Sequence, residues 1–294
     1  MPRIERQHLP VSFASRLQSV FDTHGQLCVG IDPHPELLED WGLSDTPSGL
    51  ESFGKAAIAA TAGTVGIIKP QVSFFERHGS RGFAVLESLC ELAAEAKLLV
   101  IMDAKRGDIG TTMQAYYDAW LGQHAPFLCD ALTVNPYLGF ESLKGILSQS
   151  AERGKGVFVL SATSNPEGAQ LQQSVSANGL TVAANIWSGL AEVNSITAGP
   201  GERLGNFGAV IGATVNPNRY GLGGLSSNEQ GVLTPILAPG FGAQGARLQD
   251  TARLFGSASR SVIANVSRSV LKAGGLGLSD AVITAKNELL EGLA

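Results

Sequence analysis

The chain has few of the residues on which disulfide-linked and metal-binding proteins depend. Its 294 residues include only 3 cysteines and 5 histidines. Cys28, Cys90 and Cys129 are odd in number and widely spaced, without the short spacings of a zinc site, and the histidines form no spaced pair suited to a metal. We therefore expect buried, reduced thiols, histidines with surface or structural roles, and no metal site.

Runs of one charge and long apolar stretches are also missing. The net charge is −5, and no basic cluster indicates a nucleic acid or an anionic membrane as a partner. The N-terminus lacks the charged-then-apolar profile of a signal peptide, and no apolar stretch approaches the length needed to cross a membrane. From these absences we expect a cytoplasmic α/β protein, folded as a single domain over residues 1–294.

Short apolar runs that stop at a polar or glycine-rich turn recur along the chain. Because they are apolar throughout, they are typical of parallel strands covered on both faces. Helix-like segments lie between them, and eight such units in roughly 250 residues predict a (β/α)₈ TIM barrel. A doubly wound open sheet is the main alternative, since closure of a sheet cannot be read from sequence. The eight predicted strands are 27–32, 64–71, 98–103, 131–135, 156–161, 207–214, 233–238 and 261–266.

Two glycine-rich insertions, near 196–205 and 216–231, flank the sixth predicted strand. We interpret both as long loops. Loops of this length are often lids or partner contacts, although insertions without function are about as common.

Charged residues follow the third predicted strand. Asp103 and Lys105 point to the same side because side chains alternate along a strand, and Asp108 adds a second carboxylate three residues beyond the lysine. Burying a carboxylate beside an ammonium is costly unless the two pair. For an isolated Asp-x-Lys, a structural salt bridge is the favoured interpretation.

The neighbouring strand ends favour a functional interpretation instead. The carboxyl ends of barrel strands carry the chemistry, and here they add Asp32 and Lys69 to the same rim. Desolvation can lower a lysine pKa by ~3–5 units, roughly 4–7 kcal/mol. Each carboxylate at about 4 Å returns ~4 kcal/mol at an effective dielectric constant near 20. Two carboxylates can therefore keep Lys105 protonated, which favours a proton donor over a Schiff-base nucleophile.

An anion site is predicted on the opposite side of the barrel. A glycine-rich segment, 239–245, follows the seventh predicted strand, and Ser267 and Arg268 follow the eighth. Loops after these two strands often bind phosphate in such barrels, through backbone N–H groups near a helix start. The forked guanidinium of Arg268 suits the same ligand.

Taken together, these residues resemble orotidine 5′-phosphate decarboxylase, particularly its longer bacterial subfamily. The likeness spans almost the whole chain, and its most specific part is the decapeptide Asp-Ala-Lys-Arg-Gly-Asp-Ile-Gly-Thr-Thr at 103–112. Further parts are Gly-Ile-Asp-Pro at 30–33, Ile-Lys-Pro-Gln at 68–71, Thr-Val-Asn-Pro-Tyr at 133–137, the segment 239–245 and Ser-Arg-Ser at 267–269.

The resemblance implies a carbon–carbon lyase that converts orotidine 5′-phosphate to uridine 5′-phosphate (UMP) and CO₂ without a cofactor, the last step of pyrimidine nucleotide synthesis. It implies a catalytic tetrad, in which Lys105 protonates C6 of the pyrimidine and Asp103 lies near the substrate carboxylate. The tetrad is Lys69, Asp103, Lys105 and Asp108.

The same resemblance implies the substrate contacts. Asp32 and Lys69 would bind ribose hydroxyls, Ser164 the pyrimidine edge, and Gln244 and Arg268 the phosphate. Ser267 stands where many relatives carry glycine, so its backbone N–H would be the contact. Asp108 and Thr112 would reach the active site of a neighbouring subunit, which implies a homodimer.

Other functions remain open at this point. A related barrel decarboxylase acting on a sugar-acid phosphate shares Asp-x-Lys-x-x-Asp but binds Mg²⁺, and Lys69 stands where a further acid would serve that metal better. A lysine-dependent aldolase is disfavoured by the ammonium argument. A non-catalytic barrel that only binds a phosphate ligand is the third possibility. We expect Phe74 and Phe75 to pack within the fold rather than stack on a base.

Overall fold

The structure is a computed structural model and describes residues 10–225 and 231–294. Within them, eight parallel strands in chain order form a closed barrel, in which β1 pairs with β8. The predicted TIM barrel is confirmed, and the open sheet is excluded. The strands are β1 Leu27–Ile31, β2 Ile67–Pro70, β3 Leu99–Arg106, β4 Ala131–Val134, β5 Gly156–Ala162, β6 Phe207–Ile211, β7 Ile236–Pro239 and β8 Val262–Val266.

Helices of the described residues surround the barrel, and none of them is long and apolar enough to cross a membrane. They are α1 Phe13–His24, α2 Pro35–Asp40, α3 Pro47–Thr61, α4 Val72–Glu76, α5 Gly79–Glu95, α6 Gly110–Trp120, α7 Lys144–Glu152, α8 Gly168–Gln172, α9 Val182–Thr197, α10 Thr251–Phe255, α11 Arg268–Leu271 and α12 Gly274–Leu293. Short 3₁₀ helices occupy Phe140–Leu143, Pro217–Tyr220, Leu248–Asp250 and Gly256–Ser261.

Helix α1 covers the amino-terminal end of the barrel. Ser12 caps it by accepting a hydrogen bond from the Ser15 N–H, as serine commonly does at this position. Phe13 lies edge-on against Phe158 of β5, with 6.0 Å between ring centroids, and the Ala14 N–H donates to the Asn206 side chain just before β6. Phe13 and Leu17 of this helix pack among buried residues of the barrel interior.

Strand β3 is longer than predicted. We expected it to end at Asp103, but it continues to Arg106, whose carbonyl accepts a hydrogen bond from Asn135 N–H at 2.7 Å. The charged side chain of Arg106 is accommodated because it pairs with Glu76 at 2.8 Å and lies over the ring of Trp120. The extension places Lys105 within the strand instead of beyond it.

Parts of both predicted loop insertions are helical. Helix α9 runs to Thr197, so Ile196 and Thr197 are helical and the first insertion begins two residues later. The second contains a 3₁₀ helix at Pro217–Tyr220, whose N-terminus Asn216 caps with its side chain. Residues 226–230 of that insertion lie outside the described residues.

Candidate active site

A buried carboxylate, Asp103, lies between two lysines at the carboxyl ends of β2 and β3. Its Oδ2 accepts a hydrogen bond from Lys69 Nζ at 2.8 Å, and its Oδ1 accepts one from Lys105 Nζ at 2.5 Å. Asp32, at the end of β1, has its Oδ1 4.0 Å from Lys69 Nζ. The four side chains thus form a contiguous series of alternating negative and positive charge, in chain order. The series is Asp32, Lys69, Asp103 and Lys105.

The two lysines differ in their surroundings. Lys69 is 3% exposed, whereas 45% of the Lys105 side chain is exposed. Burial alone would lower the pKa of Lys69, but the carboxylates of Asp103 and Asp32 outweigh burial and raise that pKa above its ordinary value. Burial alone would raise the pKa of Asp103, but both lysines hold it well below its usual range. Lys69 and Asp103 are therefore both charged at neutral pH.

A cavity of about 890 Å³ opens above these groups. It brings together eight of the ten site residues predicted from the sequence, drawn from the ends of β1, β2, β3, β5, β7 and β8. They are Asp32, Lys69, Asp103, Lys105, Ser164, Gln244, Ser267 and Arg268. The lysines and Arg268 consequently face one volume.

The remaining two predicted residues do not line this cavity. Asp108 follows β3, and its Oδ1 accepts a hydrogen bond from the N–H of Ile109 at 2.8 Å. Thr112 is exposed in the first turn of α6. Neither side chain therefore joins the series of charges around Asp103.

The glycine-rich segment after β7 forms a closed turn at the cavity wall. The N–H of Gly242 donates to the carbonyl of Ala246, and the N–H of Gly245 donates to the carbonyl of Gly242. Gly242 has a φ of +73°, and a Cβ there would come within 2.5 Å of the Ser269 side chain. Only glycine fits this position, so the sequence pattern reflects close approach between the β7 and β8 loops.

An aromatic pair at the cavity wall was not predicted from the sequence. Phe74 and His34 pack against each other with ring centroids 4.3 Å apart, and both line the cavity. Burial lowers the pKa of His34, which favours the neutral imidazole. Phe75 is fully buried, as expected. The position of His34 two residues after Asp32, at the end of β1, was the signal that could have identified it.

Two uncharged polar side chains also form hydrogen bonds with Asp103. Thr133 on β4 donates a hydrogen bond to Asp103 Oδ1 at 3.0 Å, and Gln71 Nε2 donates to the Asp103 carbonyl at 3.2 Å. Neither residue was predicted from the sequence to be a member of the site.

Buried acceptors without a partner indicate where a ligand could bind. Among the described residues, Asp32 Oδ1 and Ser267 Oγ are buried and make no hydrogen bond, and such groups are rare unless something else satisfies them. Within residues 10–225 and 231–294, no group of three or more His, Cys, Asp or Glu side chains is arranged to hold a metal ion. The charged side chains that line the cavity could bind a ligand that carries hydroxyl, phosphate or carboxylate groups.

The chain is similar to known proteins over most of its length. The sequence profile of the "Orotidine 5′-phosphate decarboxylase / HUMPS family" matches residues 25–277. A protein named orotidine 5′-phosphate decarboxylase from Streptomyces coelicolor is 52% identical over 262 residues, which are 89% of this chain and 90% of that protein. A protein of the same name from Salinispora tropica is 46% identical over 263 residues, which are 90% of this chain and 91% of that protein. A crystal structure of a Streptomyces avermitilis protein described by the same activity superposes with a TM-score of 0.88 at 46% identity, covering 97% of both chains.

Proposed function

Because the chain belongs to the orotidine 5′-phosphate decarboxylase / HUMPS family, we propose that it decarboxylates orotidine 5′-phosphate to UMP, with Lys105 as the proton donor. The observation that carries this proposal is the Lys105 ammonium, hydrogen-bonded to Asp103 and facing the same cavity as Arg268. This reaction releases CO₂ and forms UMP, and it is the last step of pyrimidine nucleotide synthesis.

The reaction makes one demand on the protein. When the bond between C6 and the carboxyl group breaks, CO₂ leaves and its bonding electrons remain in an sp² orbital at C6, outside the ring π system. The Lys105 ammonium stabilises this charge as it develops and then transfers a proton to C6, leaving a neutral amine that water reprotonates. An interaction that strengthens only as the bond breaks raises kcat.

The remaining cavity residues hold the substrate. Asp32, whose buried Oδ1 lacks a hydrogen-bond donor among the described residues, accepts from a ribose hydroxyl, and Lys69 donates to another. Gln244 and Arg268 bind the phosphate together with the backbone N–H of Ser267, and Ser164 meets the pyrimidine edge. Binding energy from the phosphate then offsets the cost of desolvating and orienting the reacting end.

The activity test follows the absorbance of orotidine 5′-phosphate with wild-type protein, Lys105→Ala and Asp103→Ala. Turnover by the wild type and its loss in Lys105→Ala is the expected result. UMP binding without wild-type turnover would favour a non-catalytic phosphate-binding barrel, and near-normal turnover by Lys105→Ala would remove the proposed mechanism.

A homodimer with shared active sites is part of the proposal. Asp108 and Thr112 lie at the strand-end face but outside their own cavity, and this face also exposes apolar side chains. Ile109 is 60% exposed and Tyr137 is 73% exposed. A second copy seated on this face would bury them and bring Asp108 to the neighbouring lysine.

Mixing two inactive variants tests the shared site. Asp108→Ala and Lys105→Ala are each inactive as homodimers, but their mixed dimer restores one site free of both changes. Recovered turnover is expected, whereas no recovery after verified subunit exchange would contradict sharing. Sedimentation of the wild type checks independently that a dimer forms.

A further inference from the structure

The backbone of Lys105 adopts a conformation that lysine avoids. Its φ is +49°, in the left-handed region where a Cβ crowds the following carbonyl. Strained residues of this kind persist only where the surroundings hold them, and they are concentrated at functional sites. The contacts of the Lys105 backbone therefore show what holds it.

Strand pairing beside Lys105 is irregular. Met102 pairs with Leu132 and Arg106 pairs with Val134, so three residues of β3 stand opposite Thr133 alone. Within this irregular stretch, the Lys105 N–H donates to the side-chain Oγ1 of Thr133 at 2.9 Å.

The same hydroxyl contacts the carboxylate partner of Lys105. Because a backbone N–H can only donate, Thr133 Oγ1 accepts from Lys105 and keeps its own hydrogen for Asp103 Oδ1, 3.0 Å away. That oxygen also accepts from Lys105 Nζ at 2.5 Å. Thr133 is 1% exposed, and its β4 neighbours Leu132 and Val134 are fully buried and apolar. One buried hydroxyl thus joins the main chain of Lys105 to the group that holds its ammonium.

We propose that Thr133 is a positioning residue for the decarboxylation: its hydroxyl fixes the backbone of Lys105 and the carboxylate of Asp103 relative to each other, and so sets where the ammonium stands. This inference rests on the proposed function, in which that ammonium protonates C6. Thr133 acts through Lys105 and Asp103, and substrate contact is not part of its role.

Three substitutions separate positioning from simple packing. Thr133→Val keeps the β-branched shape and removes the hydroxyl, and Thr133→Ser keeps the hydroxyl. Thr61→Val is the matched control, because Thr61 is also fully buried and donates to a helical carbonyl, that of Ala57 at 2.6 Å in α3. Each is measured for kcat and KM on orotidine 5′-phosphate and for thermal stability.

A misplacement of about 1 Å at a reacting group costs on the order of 10²-fold in rate. We expect Thr133→Val to lower kcat by about 10- to 100-fold with KM changed by less than about 3-fold, since the substrate-binding groups stay in place. Thr133→Ser should stay within about 3-fold of the wild type. Thr61→Val should lose stability and retain its kcat. A Thr133→Val enzyme with wild-type kcat, or a Thr133→Ser enzyme as slow as Thr133→Val, overturns the inference.

A second measurement does not depend on turnover. In a crystal structure of Thr133→Val we expect Lys105 to leave the left-handed region and its Nζ to move away from the wild-type position. An unchanged Lys105 backbone and ammonium in that crystal would overturn the inference. Absence of turnover in the wild type would instead contradict the proposed function, which keeps the two failures distinct.

Discussion

The two lysines on Asp103 differ in burial, and removing each should therefore have a different effect on stability. The Lys105 side chain is 45% exposed, and exposed ion pairs contribute only about 0–1 kcal/mol. After Lys105→Ala, Asp103 retains the donors Lys69 and Thr133. Lys69 is buried, and breaking a buried pair by removing one partner costs about 3–5 kcal/mol. Lys69→Met, which keeps the length of the side chain, should therefore be much the less stable variant.

Activity should follow a different order from stability. A positioned general acid contributes about 10²–10⁴-fold, and an oriented group that stabilises developing charge about 10²–10³-fold. Lys105 fills both roles in the proposed reaction, so Lys105→Ala should lower kcat by about 10⁴-fold or more. The stability of this variant should be nearly unaffected, so a single substitution should lower kcat without unfolding the protein.

Thermal unfolding and the orotidine 5′-phosphate assay, run on the same preparations, measure both effects. In a domain of this size, 1 kcal/mol shifts Tm by about 2–4 °C. We expect a shift of at most about 4 °C for Lys105→Ala and about 6–20 °C for Lys69→Met. Equal destabilisation of the two variants would refute the argument from burial. Turnover by Lys105→Ala within tenfold of the wild type would refute the assigned role.

Three further predictions concern the phosphate, metals and pH. Arg268→Ala should lower kcat/KM by about 10- to 150-fold, as expected for losing a hydrogen bond to a charged group of about 1.5–3 kcal/mol, and the loss should be smaller for a substrate without the phosphate. Turnover should be unchanged by a chelator, and a chelator-sensitive rate would favour the Mg²⁺-dependent alternative. Because the folded-state pKa of Asp103 is depressed, its contribution to stability is full above its unfolded pKa of about 4 and is lost as pH falls below it. Asp103→Asn should accordingly show a shallower loss of stability in acid denaturation than the wild type.

The architecture could be predicted because it depends on patterns within single segments. Each strand is a short apolar run that ends in a polar turn, and each of the eight predicted runs overlaps an observed strand. The order of the strands then determines which ends are neighbours. For this reason the sequence predicts that Asp32, Lys69 and Asp103 lie close together, as the structure shows.

The details around Lys105 depend on pairing between strands, which the sequence does not display. Nothing in the residues 99–106 or 131–134 reveals that the register shifts between Met102 and Arg106. The left-handed φ of Lys105 is equally hidden, because the residue is not glycine. The role of the Thr133 hydroxyl follows from that shift and so could not be predicted. Phe74 was missed for a related reason, since its orientation toward the cavity depends on how α4 packs.

The two carboxylate oxygens of Asp103 accept hydrogen bonds from different buried groups. Its Oδ2 is held by the buried ammonium of Lys69, and its Oδ1 by the buried hydroxyl of Thr133. These two hydrogen bonds favour one orientation of the carboxylate, and its Oδ1 in turn accepts a hydrogen bond from the ammonium of Lys105. Lys105 alone of these groups is substantially exposed to the cavity, and it also carries the backbone strain. The buried members of the cluster therefore set the charge and geometry, and the exposed member is left free to reach the reacting carbon in the proposed reaction.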